Sequence, residues 1–171
     1  MPDSKPPSKE AARLAELQRL CVLDTLEEQA YDDITRMAAD ICGTPMAVIS
    51  LIDDKRQWFK SRVGLQVSET PRELAFCAHA IQTPDRPFVV NDATKDARFE
   101  ANPLVTGDPN IRFYAGAPLV TSNGHALGTV CVIDREPRDV TPEQLAQLQF
   151  MAQQVILMLE AHVAPAAARS D

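Results

Sequence analysis

Two apolar runs, Phe113–Val120 (FYAGAPLV) and Ala126–Asp134 (ALGTVCVID), stand on either side of Ser122–Asn123–Gly124–His125. Strand-length apolar runs joined through an Asn-Gly pair close as an antiparallel hairpin, so the chain must fold around an antiparallel sheet. The turn is expected to be type I′, with positive φ at both central residues. A second hairpin is predicted from Met46–Ile52 (MAVISLI) and Gln57–Val63 (QWFKSRV), with Asp53–Arg56 turning between them. Phe88–Val90 reads as a shorter strand. Trp58 and Phe59 alternate along their strand, so one is expected in the core and the other exposed near the hairpin.

Helices flank these strands. Thr25–Leu26–Glu27–Glu28, Thr70–Pro71–Arg72–Glu73 and Thr141–Pro142–Glu143–Gln144 each match a capping box, in which the Thr hydroxyl and the Glu or Gln side chain satisfy orphan amides of a first turn. Two of them place Pro at the first helical position. The helix from Leu26 is expected to bury Leu26, Ala30, Ile34, Met37, Ala38 and Ile41, and Gly43 with Pro45 ends it. The helix from Pro142 carries Leu145, Leu148, Ala152, Val155 and Leu159 on one stripe, with Gln144, Met151 and Met158 beside it. Ile156 and Leu157 add apolar surface beyond what one sheet contact needs. Leu14, Leu17 and Leu20 mark a first amphipathic helix. Two outcomes weigh equally: the terminal helices pack across a homodimer interface, or they bury this surface within one chain.

The expected fold is therefore α+β. An antiparallel sheet of about five to six strands carries the terminal helices on one face. The long connection from Pro71 to Arg112 roofs a pocket on the other. Residues 10–162 are expected as one domain, with disordered tails at 1–9 and 163–171.

Charge narrows the function. Lys and Arg total 17 against 24 Asp and Glu, a net charge of -7. That balance argues against binding nucleic acid or anionic lipid, both of which need clustered cations. The start lacks the basic and apolar regions of a signal peptide, and no apolar run approaches the roughly 20 residues of a membrane span. A cytoplasmic protein with reduced cysteines is expected. Cys21, Cys42, Cys77 and Cys131 form no CxxC pair, so neither a structural zinc site nor any other metal site is expected.

The roofing connection is the most distinctive text: Phe76–Cys77–Ala78–His79–Ala80–Ile81, Val90–Asn91–Asp92, Asp96–Ala97–Arg98–Phe99 and Asn102–Pro103–Leu104–Val105–Thr106–Gly107. It runs on into Ile111–Arg112–Phe113–Tyr114–Ala115–Gly116–Ala117–Pro118–Leu119. Leu23–Asp24–Thr25 and Gln57–Trp58–Phe59–Lys60 precede it, and Leu127–Gly128–Thr129–Val130–Cys131–Val132–Ile133–Asp134 follows. From about Leu17 to Glu160 this order resembles a bacterial GAF subfamily often found ahead of diguanylate cyclases and histidine kinases. The resemblance implies a GAF fold and a sensory or regulatory role in signal transduction. GAF domains bind cyclic nucleotides, bilins, haem, amino acids or other small molecules, or only dimerise, so no cofactor is named. The Asn-Lys-Phe-Asp pattern of cyclic-nucleotide-binding members is not evident. The Cys-His pair of bilin attachment is absent, since Cys131 is followed by Val132. The text after Glu160 shows no output domain, so signalling through a partner in trans is expected.

The candidate ligand-binding residues are Cys77, His79, Asp92, Arg98, Phe99, Asn102, Arg112, Tyr114 and Cys131. Arg98 or Arg112 suits an anionic small molecule, because a guanidinium grips carboxylate or phosphate bidentately. Tyr114 alternates with Phe113, so only one of them can face the pocket, and Ala115, Gly116 and Ala117 leave room there. Against this, Asp92, Asp96, Arg98, Asn102 and Pro103 are also what a well-organised loop needs. Cys77 and His79 point apart on a helix and cannot chelate one metal together. Cys131 is expected to share a strand face with Leu127, Thr129 and Ile133. Two rivals stand beside the sensor reading. One is an interaction module whose pocket is filled by its own side chains. The other is a thiol enzyme resembling methionine sulfoxide reductases of the GAF fold, although their cysteine arrangement is not reproduced. No catalytic residue is assigned.

Overall fold

The computed structural model describes residues 8–169, with side chains as far as Ala161. Helices α1 (Lys9–Arg19) and α2 (Gln29–Cys42) lead into strands β1 (Met46–Ile52), β2 (Arg56–Val63) and β3 (Glu69–Pro71). The connection holds α3 (Phe76–Ala80), β4 (Phe88–Val90) and α4 (Pro103–Thr106), with two 3-10 turns at Arg72–Leu74 and Ala93–Lys95. Strands β5 (Phe113–Val120) and β6 (Ala126–Asp134) precede α5 (Pro142–Arg169). The six strands form one antiparallel sheet in the order β3-β2-β1-β6-β5-β4.

Every residue of the central strands β1 and β6 is buried, which explains their near-continuous apolar text. Side-chain alternation divides the core in two. Ala47, Ile49, Leu51, Phe113, Ala117 and Val130 pack with Leu17, Tyr31, Leu148 and Val155 on the helix face. Met46, Val48, Tyr114, Cys131 and Ile133 pack with Phe76, Phe99 and Val105 on the roof face. Trp58 and Phe59 do point to opposite faces, but both are buried, one in each cluster, so neither is a surface contact. Leu127 falls on the helix face, away from Cys131 and Ile133. Leu119 pairs with Gly128 and Val120 with Ala126, so residue 127 is bulged and the alternation breaks there.

The hairpin turn is not type I′. Among its residues only Gly124 has positive φ (87°). The Gly124 amide donates to Thr121 O over 2.8 Å, closing a turn that ends on a left-handed glycine.

Of the three capping boxes, the one at α5 forms. Gln144 N donates to Thr141 Oγ1 over 3.1 Å, and Thr141 N donates to Gln144 Oε1 over 2.9 Å. The other two do not. The Thr25 hydroxyl turns back to Val22 O, and α2 starts later, after Glu28. Consequently Leu26 is exposed, and the buried stripe of α2 is Tyr31, Thr35, Ala38, Ala39 and Cys42, leaving Ala30 and Met37 to solvent. Tyr31 wins because its ring covers more apolar surface than Ala30. Residues 69–71 pair with β2 as β3, so Thr70–Pro71 ends a strand, and a single 3-10 turn replaces the expected helix. Gly43, at φ 65°, ends α2 as expected.

Two separated motifs meet here. Arg56 pairs with Asp24 at 2.7 Å, and the buried Lys60 ammonium reaches Glu28 at 2.6 Å and Thr25 Oγ1 at 2.8 Å. These pairs tie the α1–α2 loop to β2.

On α5, Leu148, Met151, Ala152, Val155, Ile156 and Leu159 are buried within the chain. Phe150 and Leu157 stay exposed, at 61% and 60%. Ser8, expected in a tail, caps α1 by accepting from Ala11 N at 3.1 Å. The expected tail from residue 163 instead continues α5 as far as Arg169. The rest of the expected tails, residues 1–7 and 170–171, lies outside the described residues. No helix among the described residues is long and apolar enough to cross a membrane.

Candidate functional site

The roof does not seal against the sheet. Between them lies a cavity of about 370 Å³, walled by Val48, Phe59, Tyr114 and Ile133 from the strands and by Leu74, Phe76, Leu104 and Ile111 from the roof. Glu69, Asp108 and Arg135, all exposed, border its mouth. Its size is at the small end of ligand pockets, and its walls are mostly apolar, as ligand pockets usually are.

Three of the sequence-predicted residues, Cys77, Tyr114 and Cys131, line this cavity. The Tyr114 ring lies over Gly116, where an added Cβ would strike the phenol. The tyrosine thus occupies the room that the small residues of β5 leave.

The other six candidates build the roof. Asp92 caps a 3-10 turn by accepting from Thr94 N at 3.0 Å. Asn102 caps α4 through Leu104 N at 2.8 Å, and its amide donates to Leu74 O at 3.1 Å. The Arg98 guanidinium pairs with Asp96 at 2.6 Å and lies over the Phe88 ring. Arg112 donates to Val105 O at 2.8 Å. Phe99 stacks on Phe76 with centroids 4.0 Å apart. His79, half-buried, meets the Phe99 edge and faces a shallower groove with Asp54, Arg72 and Glu73. Burial, then the Arg98 charge, pushes the His79 pKa down. Arg98 and Arg112 are therefore committed to loop carbonyls and carboxylates and do not form an anion clamp in the cavity.

A buried polar cluster lies beneath the cavity. Tyr114 Oη donates to Cys77 Sγ over 3.0 Å, Thr129 Oγ1 lies 3.1 Å from the same sulfur, and Ser50 Oγ lies 3.2 Å from Thr129 Oγ1.

Gln57 is the residue that sequence reasoning missed. It lines the cavity and is only 5% exposed. Its Nε2 donates to Thr70 Oγ1 over 3.0 Å, which orients the amide. Its Oε1 is the one buried side-chain polar atom among the described residues with no partner. Leaving such an atom unpaired costs about 1–3 kcal/mol. The available signal was parity: Gln57 shares a strand face with Phe59, and a polar residue there opens a line of buried positions.

A sequence profile of the family described as GAF domain matches residues 26–159. A protein named as a cyclic di-GMP phosphodiesterase of Pseudomonas aeruginosa is 44% identical over 151 residues, 88% of this chain. The chain spans only 26% of that protein's length. The GAF domain of PixJ from Thermosynechococcus elongatus, solved in its blue-light absorbing form, superposes with a TM-score of 0.67 at 15% identity. That match covers 92% of this chain and 95% of that one. A type II free methionine-R-sulfoxide reductase from Thermoplasma acidophilum superposes at 0.62 with 10% identity, covering 90% and 96%. At these identities the two structures share the fold.

Proposed function

The chain belongs to the GAF domain family, and from that premise we propose that it is a cytoplasmic sensory domain that binds a small molecule in the roof-face cavity. The observation that carries this reading is the unpaired Oε1 of Gln57, a residue that lines that cavity. It asks for a ligand with an apolar body and an N–H or O–H donor. At the mouth Glu69 is paired with Arg56 at 3.0 Å, which leaves the Asp108 carboxylate and the Arg135 guanidinium to face a ligand. A neutral or zwitterionic ligand suits that set better than the anion first expected, and any anionic group would be met by Arg135.

The relay runs through the roof. Arg72, in the 3-10 turn beside the cavity, pairs with Glu10 of α1 at 2.6 Å and donates to Asp53 O at 3.1 Å. A ligand that favours one position of this turn shifts α1 with it, by population shift. The exposed Phe150 and Leu157, seven residues apart on α5, supply a homodimer seam along which that shift is passed on. The output is control of cyclic di-GMP turnover, in a neighbouring domain or in a separate partner. The Pseudomonas aeruginosa relative's name supports this choice.

A melting-temperature screen of free amino acids, nucleobases and cyclic dinucleotides tests the binding reading. At least one class raises Tm for the natural chain and fails to do so for Gln57→Leu. No response from any class, with Gln57→Leu behaving like the natural chain, sinks the reading in favour of a dimerisation module.

A further inference from the structure

The cavity floor holds two thiols in near contact. Cys77 Sγ on α3 lies 3.9 Å from Cys131 Sγ on β6. Both residues are screened from bulk solvent, at 1% and 0% exposure, yet both line the cavity. A pair reached only through a cavity is closed to another protein and open to a small oxidant.

The surroundings make the two sulfurs unequal. Burial pushes the Cys77 thiol up, but hydrogen bonds from Cys131, Thr129 and Tyr114 outweigh it and bring it below the usual thiol range. Burial, and then the neighbouring Cys77, pushes the Cys131 thiol well up. Hydroxyl donors that converge on one sulfur stabilise its thiolate, the form that attacks electrophiles.

We propose that Cys77 and Cys131 are a peroxide-reactive pair that closes reversibly into an intramolecular disulfide between α3 and β6. The Cys77 thiolate attacks one oxygen of hydrogen peroxide. The O–O bond breaks, hydroxide leaves and takes up the proton released by the Cys77 thiol, and Cys77 becomes a sulfenic acid. Cys131 sulfur then attacks Cys77 sulfur as its own proton departs. The S–O bond breaks, and that hydroxide leaves with the proton as water. Two thiols and one peroxide give one disulfide and two waters, with two electrons passing from sulfur to oxygen. An external dithiol restores both thiols by exchange, becoming a disulfide itself.

Closure brings the sulfurs from 3.9 Å to about 2.0 Å. The five-residue helix α3 sits in the roof, whereas Cys131 is held at mid-strand in the sheet, so α3 is the part that moves. The bridge then ties the roof to the sheet. Oxidant thereby acts on the element that covers the cavity, whether or not the cavity holds a ligand.

The natural chain supplies its own controls, since Cys21 is exposed and Cys42 is buried on the helix face. The full chain is treated with one equivalent of hydrogen peroxide, denatured, alkylated and mapped by mass spectrometry. An intact monomer lighter by about 2 Da before alkylation, two fewer alkyl groups after it, and a Cys77–Cys131 linked peptide that dithiothreitol removes are the expected result. In Cys131→Ser, Cys77 stops at the sulfenic acid and is captured by dimedone. If Cys77 and Cys131 are both alkylated after treatment while Cys21 is oxidised, or Cys77 passes to sulfinic acid with Cys131 free, the proposal is overturned. The linked peptide is read without any ligand, so this outcome is independent of the binding screen.

Discussion

On the helix face, strands β1, β5 and β6 present Ile49, Ala117 and Val130 to α1, α2 and α5, and the described side chains there close into packed core. The buried polar groups on that side are satisfied: the Thr35 hydroxyl lies 2.9 Å from Tyr31 O and 2.6 Å from Ser61 Oγ. On the roof face the same strands present Val48, Tyr114, Cys131 and Ile133 to a cavity of about 370 Å³, beside an unpaired amide oxygen. Because successive side chains of a strand point to opposite faces, one set of strands carries two independent surfaces. The helix face serves stability. The roof face is left open, with one buried amide oxygen unpaired, at a cost in stability.

Truncating one isoleucine on each face tests that contrast most strongly. Ile49 is buried on the helix face, and Ile133 borders the cavity. Ile49→Ala is expected to lose about 4 kcal/mol and Ile133→Ala about 2 kcal/mol, because the second site already has space on one side. Urea denaturation with matched slopes reads both, and equal losses would break the comparison. Next in size is Gly116→Ala. Its methyl group strikes the Tyr114 phenol, and a loss of about 2 kcal/mol is expected, with Tyr114 displaced into the cavity.

Replacing a buried polar group by an apolar one should change sign between the faces. Thr35→Val removes a satisfied hydroxyl and loses about 1.5 kcal/mol. Gln57→Leu removes an unsatisfied oxygen along with the weaker partly buried bond to Thr70, and the ligand-free protein gains up to about 1 kcal/mol. Paired thermal melts decide, and a loss at Gln57 equal to that at Thr35 would remove its special status.

The smallest effect concerns the bond between the faces. Hydrogen bonds from Arg13 and Arg72 hold the Glu10 carboxyl down at about 2, against 4.5 for a free glutamate. A carboxylate lowered by folding adds stability that is complete above its unfolded value and disappears as pH falls through the folded one. The window is therefore pH 4.5 down to about 2. The side chain is 42% exposed, so solvent screening limits the effect to about 1 kcal/mol. Glu10→Gln should flatten that part of the pH–stability curve, and an unchanged curve would show that Arg72 does not tie α1 to the roof.

Strand periodicity made the sheet legible: β1, β4, β5 and β6 lie where their apolar runs begin and end. Local capping patterns were poorer guides, because a Thr three residues before a Glu also fits a loop or a strand end. Thr70 serves β3 instead, where it meets Gln57. Of the expected residues, Cys77, Tyr114 and Cys131 line the cavity, the last two because strand parity turns both to the roof face. The charged and Asx residues of the roof have short-range partners within the loop, such as Asp96 for Arg98, and these outcompete a cavity several residues away. Gln57 escaped notice because its importance comes from an absent partner, which no linear pattern records.

Native mass spectrometry of the chain after incubation with a filtered small-molecule cell extract, repeated after denaturation, addresses the cavity most directly. A discrete added mass on the natural chain, lost on denaturation and missing from Gln57→Leu, is the predicted result. Each protein appearing only at its own ligand-free mass would contradict the account.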